Sequence, residues 1–145
     1  MKKQRGLTLI ELMVAMVIVG ILAMVAVPAY TGHITQSKIA DVTGLLSEGK
    51  VRMEQTFNSQ RSYYADASSG GTTCPDFSAL FGDSAFTVAT VCDSTTFTLT
   101  AKGSSTKGMD GYTYTINQSG EKTSKTPAVE SSRSCWLKTK DQTSC

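Results

Sequence analysis

The stretch LTLIELMVAMVIVGILAMVAVPA, residues 7–29, decides how this chain is organised. It is apolar throughout except at four positions, Thr8, Glu11, Gly20 and Pro28. At about 1.5 Å per residue, a helix over this stretch is roughly 34 Å long, which is enough to cross a hydrocarbon core of about 30 Å. We therefore expect a transmembrane helix over residues 7–30, preceded by the short basic segment MKKQRG, residues 1–6.

Glu11 is the carboxylate inside this apolar stretch. Insertion scales place the cost of an acidic side chain at the centre of a membrane helix on the order of 2.5–3.5 kcal/mol, and the cost falls towards the helix end. An opposite charge offsets the desolvation of a buried carboxylate, whereas an unpaired one is costly. Glu11 therefore predicts a cationic partner.

Two simpler interpretations explain this N-terminus less well. A cleaved secretory signal has an apolar region of about 7–15 residues and a small-x-small cleavage site, whereas this apolar run is longer and ends in VPAY. A plain signal anchor, with Lys2, Lys3 and Arg5 on the cytoplasmic side, needs no acid near its start.

The sequence MKKQRG|LTLIELMVAMVIVGILAMVAVPAY resembles the leader and first helix of a type IV prepilin. The shared pattern is a basic leader ending in glycine, a hydrophobic residue, Thr, two apolar residues and Glu, then an apolar helix with a proline before a tyrosine. The resemblance implies that the prepilin peptidase/N-methyltransferase cuts between Gly6 and Leu7 and methylates the new amino group of Leu7. Leu7 departs from the Phe that most members have at this position.

The resemblance also implies how the mature chain assembles. Glu11 is expected to face the amino group of a neighbouring pilin subunit, and Pro28 belongs to the same assembly segment. The implied partners are other pilin subunits, in a homo- or heteropolymer, and the inner-membrane pilus assembly machinery. The protein is expected as a single-pass protein of the bacterial inner membrane before assembly and in an extracellular pilus, or fimbrium, afterwards.

Elementary electrostatics supports the same role for Glu11. Cleavage after Gly6 creates an ammonium group at a helix N-terminus, where backbone N–H groups lack partners and the helix dipole favours anions. Glu11 follows Leu7 by four residues, about one helical turn. We therefore expect Glu11 to neutralise such a terminus and to set the register between parallel helices.

Beyond the apolar stretch, residues 31–60 read as an amphipathic continuation of the helix. Apolar residues and a glycine recur at spacings of three and four, at Ile39, Val42, Leu46, Gly49, Met53 and Phe57. We expect one helix from about Leu7 to Ser59, kinked at Pro28, whose second half packs on a globular head over residues 61–145.

The fold class expected for the head is α+β, with the long helix packed on a small antiparallel meander of three or four strands. The predicted strands are 85–91, 96–101, 112–116 and the short edge strand 121–125. Residues 61–82 and 102–111 lack strand periodicity and are expected to be a long loop and a flexible connection. Residues 126–145 show little periodicity, and Trp136 is expected to bury against the sheet edge.

The four cysteines all follow the anchor, and their even number in an exported domain predicts two disulfides. Three connectivities exist, and we favour Cys74–Cys92 and Cys135–Cys145 because each closes a short loop. A zinc site is disfavoured because no C-x₂₋₄-C pair is present. We expect no metal and no other cofactor. By resemblance, the loop at residues 135–145 is the disulfide-bounded segment that type IV pilins present at the subunit surface.

Composition excludes several functions and leaves three open. The formal charge of +2 includes Lys2, Lys3 and Arg5, so the chain from residue 7 onward carries −1 and net charge alone does not imply nucleic acid. The head contains no histidine, no G-x-S-x-G and no phosphate-binding glycine pattern, so we expect no enzyme.

The first of the three functions is a structural subunit of a type IV pilus, which supports adhesion, twitching motility or DNA uptake. The second is a pseudopilin of type II secretion, a class that often has bound calcium in place of the terminal disulfide. The third is a minor pilin that acts as a DNA-uptake receptor. Its candidate DNA contacts are Lys122, Lys125, Arg133, Lys138 and Lys140, and Lys102 and Lys107 would belong to the same surface if all seven cations gathered on one face.

Overall fold

The structure, a computed structural model, describes residues 8–145, apart from three side chains, those of Pro28, Ala29 and Glu130. Its contacts divide the chain into two compact units, Met1–Ile34 and Thr35–Cys145. The larger unit contains the second half of the long helix and the sheet.

Helix α1 runs from Leu9 to Gln60, close to the predicted bounds. Its first turn is capped by Thr8, whose Oγ1 accepts a hydrogen bond from the N–H of Glu11 at 3.3 Å. This Thr-x-x-Glu arrangement is the sequence signature of a capping box, in which a hydroxyl satisfies one of the unpaired N–H groups at a helix start. The backbone is helical through residue 28, and the kink expected at Pro28 remains a prediction.

The first half of α1 exposes its apolar side chains. From Leu9 to Val27 its large apolar side chains are 52–79 % exposed. By length and composition, α1 contains a segment able to cross a membrane. A continuous apolar surface of this kind needs lipid or other apolar helices to cover it.

The second half of α1 buries the predicted apolar stripe. Ile39, Val42, Leu46 and Met53 are at most 1 % exposed. Gly49 lies in the same stripe, and a Cβ placed on it would approach Cδ1 of Leu99 in the sheet to 2.8 Å. The helix therefore packs closely on the sheet at this position, where a larger side chain has no room.

The sheet has five antiparallel strands in the order β1-β2-β3-β4-β5. The strands are β1 (Phe86–Cys92), β2 (Phe97–Gly103), β3 (Thr113–Asn117), β4 (Lys122–Thr126) and β5 (Val129–Arg133). The first four match the prediction within two residues at each end, and the α+β architecture is confirmed. The fifth was missed because it is a short edge strand with weak alternation, and its pairing with β4 shifts register between Ser124 and Thr126.

Alternation along the strands separates two faces. The inward residues of β2 and β3, Phe97, Leu99, Ala101, Tyr114 and Ile116, are at most 2 % exposed. Tyr63 extends this core, with ring centroids 4.7 Å from Phe57 and 4.8 Å from Phe97. The two tyrosines after the helix therefore do not form an exposed platform, since Tyr63 is buried and Tyr64 is half-buried.

The connection between β2 and β3 is more ordered than the flexible segment that we expected. It contains a 3-10 turn, Ser105–Lys107, and the N–H of Met109 bonds to the carbonyl of Ser104 at 2.9 Å. Met109 is 0 % exposed. An apolar side chain buried in the core holds this connection in place.

Both favoured disulfides are present in the structure. Cys74 and Cys92 join the long loop to the end of β1, with Cα atoms 5.7 Å apart. Cys135 and Cys145 close the C-terminal loop, with Cα atoms 5.9 Å apart. The long loop also contains a 3-10 turn, Ala67–Ser69, and a short helix, α2 (Ser78–Phe81), which contacts β1.

Substitution of Gly49 tests the close approach of helix and sheet. We expect Gly49→Val to lower the free energy of unfolding by about 1–3 kcal/mol, because the added methyl groups overpack the contact with Leu99. Chemical denaturation of the full chain in detergent micelles measures this change.

Gly44 provides the matched control in the same helix, because nothing lies within 4 Å of its added Cβ. Gly44→Ala should raise stability by up to about 1 kcal/mol through helix propensity alone. Equal stabilisation by both substitutions would contradict close packing at Gly49.

Candidate nucleic-acid interface

The outward face of the sheet carries a row of cations and hydroxyls. The strand register places Lys102 of β2 opposite Thr113 of β3, and Thr113 opposite Lys125 of β4. Adjacent strands lie about 4.8 Å apart, so the backbones that carry the two lysines are roughly 10 Å apart. Both lysines are exposed.

The neighbouring rows of this face are polar and uncharged. Thr100, Thr115 and Thr123 stand opposite one another, and Thr115 and Thr123 share a hydroxyl–hydroxyl bond of 2.6 Å. The sequences of β2, β3 and β4 contain no Asp or Glu. The outward face of these three strands therefore combines positive charge with hydrogen-bonding groups and has no acidic side chain of its own.

The C-terminal segment is fixed to the sheet by buried hydrogen bonds. Ser124 Oγ donates to the carbonyl of Cys135 at 2.6 Å and accepts from the N–H of Leu137 at 3.0 Å. The hydroxyl of Tyr114 donates to the carbonyl of Leu137 at 3.1 Å. Leu137 is 0 % exposed, so the start of the loop that carries Lys138 is anchored to β3 and β4.

Tyr114, one of the residues that anchor the C-terminal segment, has a raised pKa. Desolvation raises the pKa of Tyr114 well above its usual value, with a smaller contribution from Tyr112. Tyr114 is therefore a neutral hydrogen-bond donor over the physiological pH range.

Trp136 connects this segment to β3 and to the start of β4. Its Nε1 donates to the carbonyl of Thr115 at 2.8 Å, and the Nζ of Lys122 lies 4.5 Å from the centre of its ring. Trp136 is half-buried, as expected from the sequence. A cation–π contact of this kind fixes the position of the Lys122 charge without neutralising it.

The predicted cations do not all share one face. Lys125 lies on the outward face of the sheet, whereas Lys122 pairs with the inward-facing Ile116 at the other end of the strand. Arg133 lies on β5 opposite Ser124, and Lys138 and Lys140 are exposed in the C-terminal loop. The candidates thus all belong to the β4–β5–C-terminal side of the head, and only Lys125 shares a row with Lys102.

Lys107 does not belong to this surface. Its ammonium group donates to the carbonyls of Asp83 and Ser84 at 2.8 and 3.0 Å, and its own carbonyl accepts from Nζ of Lys38 at 2.7 Å. These bonds tie the β2–β3 connection to the segment before β1 and to α1. Lys107 therefore has a structural role, and the seven cations do not share one face.

The segment between α1 and the middle of β2 carries negative charge only. Residues 62–101 include no Lys or Arg and hold four aspartates, Asp66, Asp76, Asp83 and Asp93. Asp93 accepts hydrogen bonds from the Thr96 hydroxyl and from the N–H groups of Thr95 and Thr96, which together lower its pKa to about 2. Bonds from Thr73 and Ser78 lower the pKa of Asp66 and of Asp76 in the same way. These carboxylates stay ionised near neutral pH, so this segment repels a polyanion.

Two of the predicted N-terminal site residues, Gly6 and Leu7, lie outside the described residues. Glu11 lies in the first turn of α1, with its N–H bonded to Thr8 and its side chain exposed. A partner for this carboxylate on another subunit remains a prediction. Among residues 8–145, no group of three or more His, Cys, Asp or Glu side chains is placed to hold a metal ion.

Sequence reasoning named the lysines but missed the row that two of them form. Lys102 and Lys125 are separated by the β2–β3 connection and by β3, so their pairing depends on strand register. The strict alternation of TFTLTA and YTYTI was the available signal, because it places every second residue on the outward face.

Two family models match this chain. One, described as "Prokaryotic N-terminal methylation motif", matches residues 1–27. The other, described as "Type IV minor pilin ComP, DNA uptake sequence receptor", matches residues 28–111, more than half of the chain. The second match includes Lys102 and ends before β3, β4 and β5.

Similar proteins include pilins of several bacteria. The chain is 46 % identical over 54 residues to "Type IV major alpha-pilin" of Moraxella bovis, which is 37 % of this chain and 34 % of that protein. It is 34 % identical over 68 residues to "Fimbrial protein EcpC" of Eikenella corrodens, which is 47 % of this chain and 44 % of that protein. The chain thus spans about a third of the length of the first of these relatives.

A solved structure shares the fold. It is the non-core minor pilin PilV of Neisseria meningitidis, with a TM-score of 0.52 and 18 % identity over 64 % of this chain and 88 % of that one.

Removal of the Ser124 hydroxyl tests the anchor of the C-terminal segment. Ser124→Ala leaves the buried N–H of Leu137 and carbonyl of Cys135 without this partner, so we expect a loss of about 1–3 kcal/mol in the free energy of unfolding. Fluorescence of Trp136, the single tryptophan of the chain, reports unfolding during denaturation in micelles. Ser119→Ala, in an exposed turn, is the control and should change stability by less than about 0.5 kcal/mol. An equally small effect of both substitutions would contradict the anchor.

Proposed function

We propose that this chain is a pilus subunit whose head binds DNA. The basis is that the chain belongs to the family of type IV minor pilins described as DNA uptake sequence receptors. This is the third of the functions left open by the sequence, and it is a special case of the first. The family also favours a pilus over the pseudopilus of type II secretion. The role is one of binding and assembly, without catalysis.

The N-terminal half of α1 supports the assembly part of the proposal. Its apolar side chains from Leu9 to Val27 are mostly exposed in the single chain, so the mature protein needs a bilayer first and apolar neighbours afterwards. The peptidase would cut after Gly6 and methylate Leu7 while the chain spans the inner membrane once. The assembly machinery would then transfer the helix into the filament, where other pilin subunits cover it.

Glu11 would direct this transfer. Its carboxylate projects from the first turn of α1, one turn after the new ammonium group that cleavage creates. In a bundle of parallel helices staggered by about one turn, the carboxylate of one subunit reaches the terminus of the next. Pairing the two charges removes the penalty that each carries alone in an apolar environment.

The observation that carries the DNA part is the row Lys102–Thr113–Lys125 on the outward face of three strands that contain no acidic residue. Lysines bind backbone phosphates irrespective of sequence, and they position a protein on the duplex. Threonine hydroxyls are groups that hydrogen-bond to sugar, phosphate or base edges. The amide of Asn117 at the end of β3 is bonded to Glu121 instead. Lys138 and Lys140 are exposed in the C-terminal loop, but Tyr114 and Ser124, which hold the start of this loop, face inward, so the DNA face depends on Lys102 and Lys125.

The acidic segment of the head gives the interaction an orientation. The aspartates of residues 62–93 repel phosphate, whereas the outward lysines Lys102 and Lys125 attract it. A molecule of low net charge with its charges separated in this way binds a polyanion by one side. DNA would therefore meet the head on the outward face of β2–β4.

Substitution of Lys125 tests the DNA interface. We expect Lys125→Ala in the full chain, held in detergent micelles, to weaken binding of duplex DNA for all sequences. The slope of log affinity against log salt concentration should fall by about 0.9, because one phosphate contact is lost. Fluorescence anisotropy of a labelled duplex at several salt concentrations measures both quantities, and Lys102→Ala should behave alike.

Arg52→Ala removes one positive charge from α1, where Arg52 pairs with Glu48 at 2.6 Å, and it is the matched control. It should leave affinity and salt slope unchanged. The DNA interface would be refuted if Lys125→Ala and Arg52→Ala had the same effect, or if the unmodified chain bound no DNA at low salt.

Substitution of Glu11 tests assembly. We expect Glu11→Ala to leave the protein in the membrane and to abolish its incorporation into filaments, because the neighbouring ammonium group loses its counter-ion. Mass spectrometry of sheared filaments and of membranes measures both populations, and it reports whether the incorporated chain begins at methyl-Leu7. A normal filament yield from the variant would contradict this role.

A further inference from the structure

We infer that the outer edge of β1 is a docking edge for the same edge of a second copy of this chain. The sheet ends at β1 on one side and at β5 on the other, and the two edges differ. β5 contains Glu130 and Arg133, and its pairing with β4 is irregular. The sequence of β1, FTVATVC, contains no charged residue, proline or glycine, and it pairs with β2 in unbroken register.

This difference is informative because exposed edges are usually protected. Charged side chains, prolines and bulges prevent the edge strands of native sheets from pairing with other chains. β5 has such protection, whereas β1 has none. Val91 at its outer face is 70 % exposed.

Two hydrogen bonds beside β1 show which of its backbone groups point outward. The N–H of Ser104 bonds to the carbonyl of Ala85, and the N–H of Asp93 bonds to the carbonyl of Thr96, each at 2.9 Å. Hydrogen-bonded and non-hydrogen-bonded pairs alternate along an antiparallel ladder. Odd-numbered residues of β1 therefore direct their backbone groups towards β2, and even-numbered ones direct theirs away from it.

The outward groups in the middle of β1 are those of Val88 and Thr90. Within residues 8–145, their N–H and carbonyl groups make no backbone hydrogen bond beyond the sheet ladder. Helix α2 contacts β1 without bonding to this part of its backbone, and Cys74 lies at the far end, beside Cys92. The middle of the strand thus offers two N–H and two carbonyl groups to a partner.

A second copy fits this edge by symmetry and by charge. With a two-fold axis at Ala89, Val88 of one copy stands opposite Thr90 of the other, and the two such pairs form four hydrogen bonds. Ala89 then faces its own counterpart, and no charged side chain opposes another. A charged partner strand would find no complementary charge on β1.

Such pairing is weak and depends on local concentration. The edge of one strand buries less than the roughly 800 Å² per partner of a stable interface. Copies whose apolar helices share a membrane or a filament are held at high effective concentration, which compensates for the small area. Lateral pairing of neighbouring heads in the membrane is the expected consequence.

Cysteine cross-linking of the full chain in membrane vesicles tests the inference. In the two-fold arrangement Ala89 and its counterpart form a non-hydrogen-bonded pair with Cα atoms about 4.5 Å apart, so Ala89→Cys should give a disulfide-linked dimer on mild oxidation. Thr87→Cys should not, because its counterpart lies roughly 13 Å away along the strand. Ala128→Cys, exposed beside β5, is the control for random collision and should stay monomeric.

The substitution Thr90→Pro should prevent the pairing of two β1 strands. It removes an outward N–H and leaves the bonds to β2 in place, so the double variant Ala89→Cys/Thr90→Pro should lose the cross-linked dimer. No dimer from Ala89→Cys, or equal dimer from all three cysteine variants, would overturn the inference.

Hydrogen exchange of the unmodified chain gives an independent readout. The amides of Val88 and Thr90 should be protected when the protein is dense in the vesicles and should exchange rapidly after dilution with lipid. Protection that is independent of density would mean that the chain itself covers the edge, and it would likewise overturn the inference.

Discussion

The burial of the α1 stripe against the inward face of the sheet is the contact on which the rest of the structure depends. The helix comes close enough at Gly49 to leave no room for a Cβ beside Leu99. Because this face of β2 and β3 is fully occupied, their other face is left to solvent. The apolar alternation that builds the core therefore also places Lys102 and Lys125 in one outward row.

A second set of contacts, made by inward-facing side chains, holds the C-terminal segment. Ser124 and Tyr114 hold the backbone on either side of Trp136 by three hydrogen bonds, and the Trp136 ring lies beside Lys122. The disulfide Cys135–Cys145 then closes the loop that carries the last two lysines. Positive charge thus comes from the sheet and from the C-terminus, while the aspartates of residues 62–101 hold the opposite sign.

Much of the fold was predictable from the sequence because it follows from local periodicity. The stripe on α1, four of the strands and their inward faces repeat at fixed spacings, and short loops favour the two disulfide pairings. β5 was missed because five residues at an irregular edge carry too little alternation. The row of Lys102 and Lys125 depends on strand register, and the structural role of Lys107 depends on contacts between segments that are distant in sequence. The amino-acid composition contains no information on either.

Footprinting of the DNA complex is the most direct test of the proposal that DNA binds the outward face of β2, β3 and β4. Hydroxyl-radical labelling of the full chain in nanodiscs, with and without duplex DNA at low salt, reports which side chains the DNA covers. We expect protection of the outward side chains of β2, β3 and β4, with residues 62–93 unchanged. Protection confined to residues 62–93 or to the edge of β1, or no protection at all, would contradict a DNA-receiving face opposite the helix.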